Sequence, residues 1–267
     1  MPWDPGQYER FRDQRLAPAL DLIALVRPPP PTGRGETPAR FRALDLGCGT
    51  GEPTAALLAH LGPDAEVEGL DTSAAMLERA APRAHGRLRF RLGDVAAIET
   101  FAPWDLVFSN AALHWVPDHP SLFARLLGTL RPGAQVAIQM PWNQHHPAHR
   151  AAAEVARSAP FAGWLGGFEV RYDTLPLEDY AELFRRHGMR LEACRLFEQL
   201  YPQLLERPAA VAEWLQGSYL VPYLERLDER QQAALMDAYR ARLRDLLGDA
   251  QPYLYTFRRL FLYGVKG

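Results

Sequence analysis

Ala43-Leu44-Asp45-Leu46-Gly47-Cys48-Gly49-Thr50-Gly51 is the most informative segment of this 267-residue chain. An apolar run ends in a carboxylate and three glycines at alternate positions, and from Pro53 the apolar side chains recur at helical spacing. That pattern is a strand, a tight turn at its carboxyl end, and a helix. In open α/β sheets ligands bind at that end, where glycines let the backbone approach them closely. A turn alone requires a single glycine. A nicotinamide-binding loop has G-x-G-x-x-G with a pyrophosphate over the helix N-terminus, but here the third glycine comes one residue early and Asp45 precedes the first. A carboxylate at that place repels a pyrophosphate and attracts a cationic amino group. The expected ligand therefore carries an ammonium.

Outward from this loop, short apolar runs alternate with helical patterns. Strands are expected at Phe41 to Leu46, Glu66 to Leu70, Leu88 to Leu92, Trp104 to Phe108 and Ala134 to Met140, with helices from about Pro53 to Leu61, Ser73 to Ala80 and Pro120 to Leu130. Such alternation implies parallel pairing with right-handed crossovers. The unbroken apolar character of the fourth and fifth strands argues for central positions covered on both faces. The third alternates Arg87, Leu88, Arg89, Phe90, Arg91 and Leu92. It reads as an edge strand whose arginines form a solvated face rather than a nucleic-acid patch. Beyond Met140, helices are expected near Pro147 to Ser158, Leu177 to His187, Pro208 to Leu215 and Glu229 to Leu247, with late strands at Arg190 to Glu198 and Tyr253 to Val265. Upstream, Phe11, Leu16, Ala19, Leu20, Ile23 and Val26 recur at helical spacing, and Pro28 to Gly35 reads as an exposed linker.

Basic groups number 30 against 32 acidic ones, a formal net charge of −2, so nothing draws the whole chain to nucleic acid or an anionic membrane. Cys48 and Cys194 are far apart and lack metal-ligand spacing, which favours reduced thiols in a cytoplasm. No signal core and no membrane-length apolar run is found. Lys266 is the only lysine, leaving little scope for lysine-based covalent catalysis or a P-loop.

Further acids stand at the strand ends. Asp71 closes the second strand, 20 residues after Gly51, where a carboxylate either accepts from ribose hydroxyls or caps the next helix. Asp94, in Gly93-Asp94-Val95, closes the third and can accept from an adenine amino group.

Taken in order, Asp45-x-Gly47-x-Gly49-x-Gly51, Asp71, Gly93-Asp94-Val95, Asp105-Leu106-Val107-Phe108-Ser109-Asn110 and Leu130-Arg131-Pro132-Gly133 resemble the motifs of class I S-adenosylmethionine-dependent methyltransferases. The resemblance implies a Rossmann-like, seven-stranded, mostly parallel α/β sheet with a reversed last strand and helical lid insertions. It also implies S-adenosylmethionine as cofactor, S-adenosylhomocysteine as product, and no metal. Asp45, Gly47, Cys48, Gly49 and Gly51 would cradle the methionine end, with Asn110 near its amino group; Asp71 and Thr72 would meet the ribose, and Met76, Asp94 and Val95 the adenine.

A closer resemblance extends over nearly the whole chain. Trp3-Asp4-Pro5-x-x-Tyr8-x-x-Phe11-x-x-x-Arg15-x-x-Pro18, Ser109 to His119, Gln139-Met140-Pro141 and Phe257-Arg258-Arg259-Leu260-Phe261 are similar to trans-aconitate methyltransferases. That family methylates a carboxylate of a small tricarboxylic acid. The chain departs from it in having Tyr219 and Val221 where glycine and arginine are expected, and His114 where glutamine is usual. The organisation expected is an N-terminal helix over 1–27 belonging to a substrate cover, a Pro/Gly linker over 28–40, a cofactor-binding core over 41–141, and a helical cover with the last two strands over 142–267, all in one compact domain.

The reaction expected is an in-line methyl transfer to a carboxylate, with acceptor and methyl held in near-attack geometry. Such an acceptor is ionised at neutral pH and requires no general base, although His114, if it faces the cavity, would serve as a base toward a phenol or amine. Arg259 and Arg15 are the expected anchors for the remaining carboxylates, Arg15 alternatively holding the cofactor's own. Tyr8, Tyr219 and Tyr223 are expected hydroxyl donors and Trp115 a wall of the pocket. His145, His146 and His149 lack an acidic or thiol companion, and no metal is expected there. An alternative reading keeps the cofactor but methylates a larger natural-product hydroxyl or thioester-linked carboxylate; a nicotinamide dehydrogenase and a cofactor-sensing protein are the competing classes. The expected partner is a small-molecule acceptor, with neither nucleic acid nor membrane, in a cytoplasmic monomer or weak homodimer.

Overall fold

The structure, a computed structural model, describes residues 12–29, 40–95 and 103–267. In chain order the first half runs α1 (Arg12–Leu25), β1 (Phe41–Leu46), α2 (Glu52–Leu61), β2 (Ala65–Asp71), α3 (Ala74–Ala80), β3 (Leu88–Leu92), β4 (Trp104–Asn110), α4 (His119–Gly128) and β5 (Leu130–Pro141). The second runs α5 (Pro147–Arg157), α6 (Phe161–Trp164), α7 (Leu177–Arg186), β6 (Arg195–Leu205), α8 (Ala210–Gln216), α9 (Val221–Leu224), α10 (Glu229–Leu247) and β7 (Tyr253–Val265). The sixth strand begins at Arg195 rather than Arg190 because Leu191–Ala193 winds into a single 3-10 turn.

The seven strands lie in the order β3-β2-β1-β4-β5-β7-β6. β1 pairs in parallel with β2 and β4, β2 with β3, and β4 with β5. β7 runs antiparallel to β5, so the sheet is mixed. The apolar runs of β4 and β5 are buried through Leu106, Val107, Phe108, Val136, Ala137 and Ile138, as strands covered on both faces require. β3 is the edge, with Arg89 and Arg91 exposed and Arg91 donating to Glu68 at 2.8 Å. Strand order reverses between β1 and β4. Their carboxyl ends therefore flank the crevice in which such sheets bind ligands.

The chain divides into two compact units, one of 15–141, 173–199 and 259–267, the other including 142–172 and 200–258. The second has an aromatic core around Trp214, Tyr223, Tyr239 and Tyr255. Two of its rings find partners for their polar ends: Tyr239 donates to Ala148 O at 3.2 Å, and the Tyr223 hydroxyl accepts from Val170 N–H at 3.0 Å. Among the described residues no helix is long and apolar enough to cross a membrane.

In the sheet unit, a buried histidine fixes the turn after β4. Nε2–H of His119 donates to Leu113 O at 3.1 Å, while Nδ1 accepts from the Tyr180 hydroxyl at 2.5 Å, which in turn accepts from Leu175 N–H at 3.1 Å. Burial lowers the His119 pKa, so the ring is neutral at pH 7 and each of these groups is satisfied. Tyr180→Phe leaves Nδ1 and the Leu175 N–H without partners. Urea denaturation should then show a loss of about 1–3 kcal/mol; an unchanged midpoint would mean that this network does not hold the turn.

Candidate functional site

β1 delivers Asp45 to the crevice with only 1% of its surface exposed. Thr54, in the first turn of α2, donates from Oγ1 to its Oδ2 at 2.7 Å. Burial pushes the Asp45 carboxyl up to about 7, against the Thr54 hydrogen bond and with the help of the negative charge on Asp71. After Asp45 the chain turns through Gly47, Gly49 and Gly51 at φ of 74°, 54° and 74°, a region that side chains with a Cβ disfavour. Packing needs two of these glycines as well: a Cβ on Gly47 would lie 2.1 Å from Ala112 Cβ, and one on Gly51 2.5 Å from the Phe90 ring. At Gly49 a Cβ meets nothing within 4 Å. That face of the loop is open.

The loop is tied to the end of β2. Gly47 and Cys48 donate to Leu70 O at 2.7 and 3.0 Å. Asp71 accepts from Gly49 N–H on Oδ2 and from Ser73 N–H on Oδ1, both at 2.8 Å. Of the two roles open to Asp71, capping falls to Ser73, whose Oγ accepts from Met76 N–H at 3.3 Å. Asp71 braces the glycine loop, and each of its oxygens retains acceptor capacity. Gly93 N–H donates to Asp71 O at 3.0 Å, drawing in the end of β3, where Asp94 is exposed and Val95 buried. Met76 is half-buried and Thr72 exposed on the same rim. Burial, with Asp45 and Asp71 adding to it, raises the Cys48 thiol far above its ordinary range, so this cysteine is inert at neutral pH.

The turn after β4 closes the other wall. Ala111 adopts φ 52° and donates its N–H to Gln139 O at 2.9 Å. For a residue with a Cβ this conformation costs roughly 1–3 kcal/mol, and it is what brings Ala112 against Gly47. Asn110, half-buried, has an Oδ1 with no hydrogen-bond partner among the described residues. Next in the chain, His114 is buried and Trp115 is exposed, their rings 4.7 Å apart. Burial holds the His114 pKa well below its usual value, and the charges of Arg259 and His119 act in the same direction. Arg259 is itself 7% exposed and lies opposite Pro141 where β7 meets β5. A buried guanidinium and a neutral imidazole thus stand together in the sheet unit.

Tyr219 and Tyr223 are buried in the core of the helical unit. Tyr8 lies outside the described residues, as does the side chain of Arg15. His146 Nδ1 accepts from Ala148 N–H at 3.1 Å as the cap of α5, and His149 packs on Tyr219 with centroids 4.4 Å apart. Among the described residues no group of three histidine, cysteine or acidic side chains converges as a metal site would. Sequence reasoning missed Thr54, Ser73 and the wall at Ala112. Thr54 had a signal, a hydroxyl among the buried Leu57, Leu58 and Leu61 of α2; Ala112 had none.

Residues 43–133 match a methyltransferase domain family. The trans-aconitate 2-methyltransferase of Deinococcus radiodurans is 42% identical, over 100% of this chain and 99% of its own length. That of Variovorax paradoxus is 38% identical over 100% and 99%. In fold the chain is similar to the crystal structure of the YcgJ protein from Bacillus subtilis, with a TM-score of 0.55 at 15% identity over 94% of this chain and 98% of that one.

The glycine geometry orders two substitutions. Gly47→Ala adds a steric overlap to an unfavourable φ, whereas Gly49→Ala adds only the φ penalty of about 1 kcal/mol. Scanning calorimetry should find the larger drop in melting temperature for Gly47→Ala, by several degrees; equal drops would contradict the close approach of Ala112.

Proposed function

Because this chain belongs to the trans-aconitate 2-methyltransferase family, we propose that it methylates a carboxylate of a small polycarboxylic acid of the trans-aconitate kind. It is an S-adenosylmethionine-dependent methyltransferase. The crevice fits that cofactor on its own chemistry. The open face at Gly49, the Asp45 carboxyl and the Asn110 Oδ1, without a hydrogen-bond partner among the described residues, suit a nucleoside that ends in an ammonium. The spare acceptor capacity of Asp71 suits ribose hydroxyls, and Thr72, Met76, Asp94 and Val95 would hold the adenine side.

When bound, S-adenosylmethionine supplies an electrophilic methyl group on a sulfonium. The chain's part is positioning and exclusion of water, which is where most of the rate of such a displacement originates. Asp45 would hold the ammonium end. Arg259 would hold a non-reacting carboxylate of the acceptor. The full-length relatives carry the acceptor class, and Arg259, 7% exposed where β7 meets β5, is the fixed positive charge that suits it. The reacting carboxylate is already an anion at pH 7 and needs no proton removed. His114, neutral beside Arg259, would shape the pocket with Trp115 rather than compete for that anion. The reaction as proposed uses no metal.

The two ends of the site are separable. With trans-aconitate and S-adenosylmethionine, mass spectrometry should detect a monomethyl ester. Arg259→Gln should raise KM for the acid tenfold or more while leaving S-adenosylhomocysteine affinity unchanged, and Asp45→Asn should do the reverse. An Arg259→Gln enzyme with normal acceptor kinetics would contradict the role given to Arg259.

A further inference from the structure

Gln139, near the carboxyl end of β5, has 0% of its surface exposed, yet among the described residues neither its Nε2 nor its Oε1 has a hydrogen-bond partner. Leaving a buried amide unsatisfied costs about 1–3 kcal/mol per group, and almost every buried side-chain polar atom avoids it. The same strand shows that the fold can satisfy an amide here. Gln135 lies on the same face, because side chains alternate along a strand. Its Nε2 donates to Arg27 O at 2.8 Å, and its Oε1 accepts from Arg27 N–H and from the Tyr263 hydroxyl, each at 2.8 Å. One glutamine of β5 is bonded through both its amide nitrogen and its amide oxygen, and the other, nearer the ligand-binding end, has no side-chain hydrogen bond among the described residues.

The surroundings of Gln139 name the missing partner. Its ladder neighbours are Asn110 on β4 and Phe261 on β7. Arg259, opposite Pro141, is then its diagonal neighbour, about 7–8 Å away across an antiparallel pair. The glycine loop follows β1, two strands from β5 in the sheet order, which is roughly 10 Å sideways at the spacing of neighbouring strands. Gln139 therefore stands on the Arg259 side of the site, away from the loop that would cradle the cofactor's methionine end.

We propose that Gln139 orients the acceptor, its Nε2–H donating to the carboxylate that receives the methyl group. This rests on the acceptor class argued above. Arg259 supplies charge for one carboxylate of the acid, and Gln139 supplies a neutral, directional donor for another. A neutral donor suits the reacting group, since a full positive charge there would hold the nucleophile's electrons back from the incoming methyl. The amide's desolvation is offset only when the acid is bound, so the residue trades stability of the free enzyme for discrimination of its substrate.

The test uses Gln139→Leu in the full-length enzyme, with Gln135→Leu as its control. Gln139→Leu should melt at or above the wild-type temperature, lower kcat/KM for trans-aconitate at least tenfold, and bind S-adenosylhomocysteine within twofold of wild type. Gln139→Glu should be worse still toward the acid, through repulsion of its carboxylate. Gln135→Leu should melt well below wild type, because it strands the Arg27 backbone and the Tyr263 hydroxyl. A fall in melting temperature for Gln139→Leu comparable to that of the control, unchanged acceptor kinetics, or a loss of S-adenosylhomocysteine affinity would each overturn the proposal. If the wild-type enzyme itself methylates neither trans-aconitate nor another small polycarboxylate, the acceptor class fails, which is distinct from wild-type turnover that Gln139→Leu does not change.

Discussion

A carboxylate shut away from water beneath a loop of left-handed glycines is the constraint around which this molecule is arranged. Among the described residues Asp45 has one side-chain donor, Thr54, and that single bond does not compensate the burial of a full charge. The folded chain holds the Asp45 proton up to about pH 7, against a usual value of 3.8. Folding therefore binds a proton between those values, and the stability this group contributes is lost as pH rises through the window. A cation placed beside Asp45 reverses the penalty. The neighbouring features serve the same end: Gly47 and Gly51 admit Ala112 and Phe90, Asp71 holds the loop in place, and Ala111 accepts an unfavourable φ so that its neighbour can close the wall.

The second half of the site works by a different rule. Arg259 and His114 are both buried, and the guanidinium helps to keep the imidazole neutral. In the proposed chemistry no group has to gain or lose a proton during turnover, so the sheet unit requires a fixed charge and fixed donors rather than an acid–base pair.

How much of this was readable beforehand follows from which interactions are local. The loop at Asp45 to Gly51, the acid at Asp71 and the edge strand with its arginines are written in short stretches of chain: the glycines turn after β1, Asp71 ends β2 and β3 is at the edge of the sheet. The sixth strand was read too early because Arg190 to Cys194 has apolar residues compatible with a strand but winds into a turn. Ser73 took the cap that Asp71 also suited, since a cap is settled by which side chain reaches the free N–H groups. The contrast between Gln135 and Gln139 was not legible at all. Both are glutamines at alternating positions of one strand, and only the approach of Arg27 and Tyr263 to the first separates them.

The most direct test of the central claim is isothermal titration calorimetry of S-adenosylhomocysteine into the protein at pH 6 and 7, each in two buffers of different ionisation enthalpy. If the ammonium of the ligand settles beside Asp45, binding expels the carboxyl proton, and the dependence of the heat on the buffer should reveal release of close to one proton at pH 6 and about half of one at pH 7. Asp45→Asn should abolish the release. Heats that do not depend on the buffer at either pH, with binding intact, would contradict the claim.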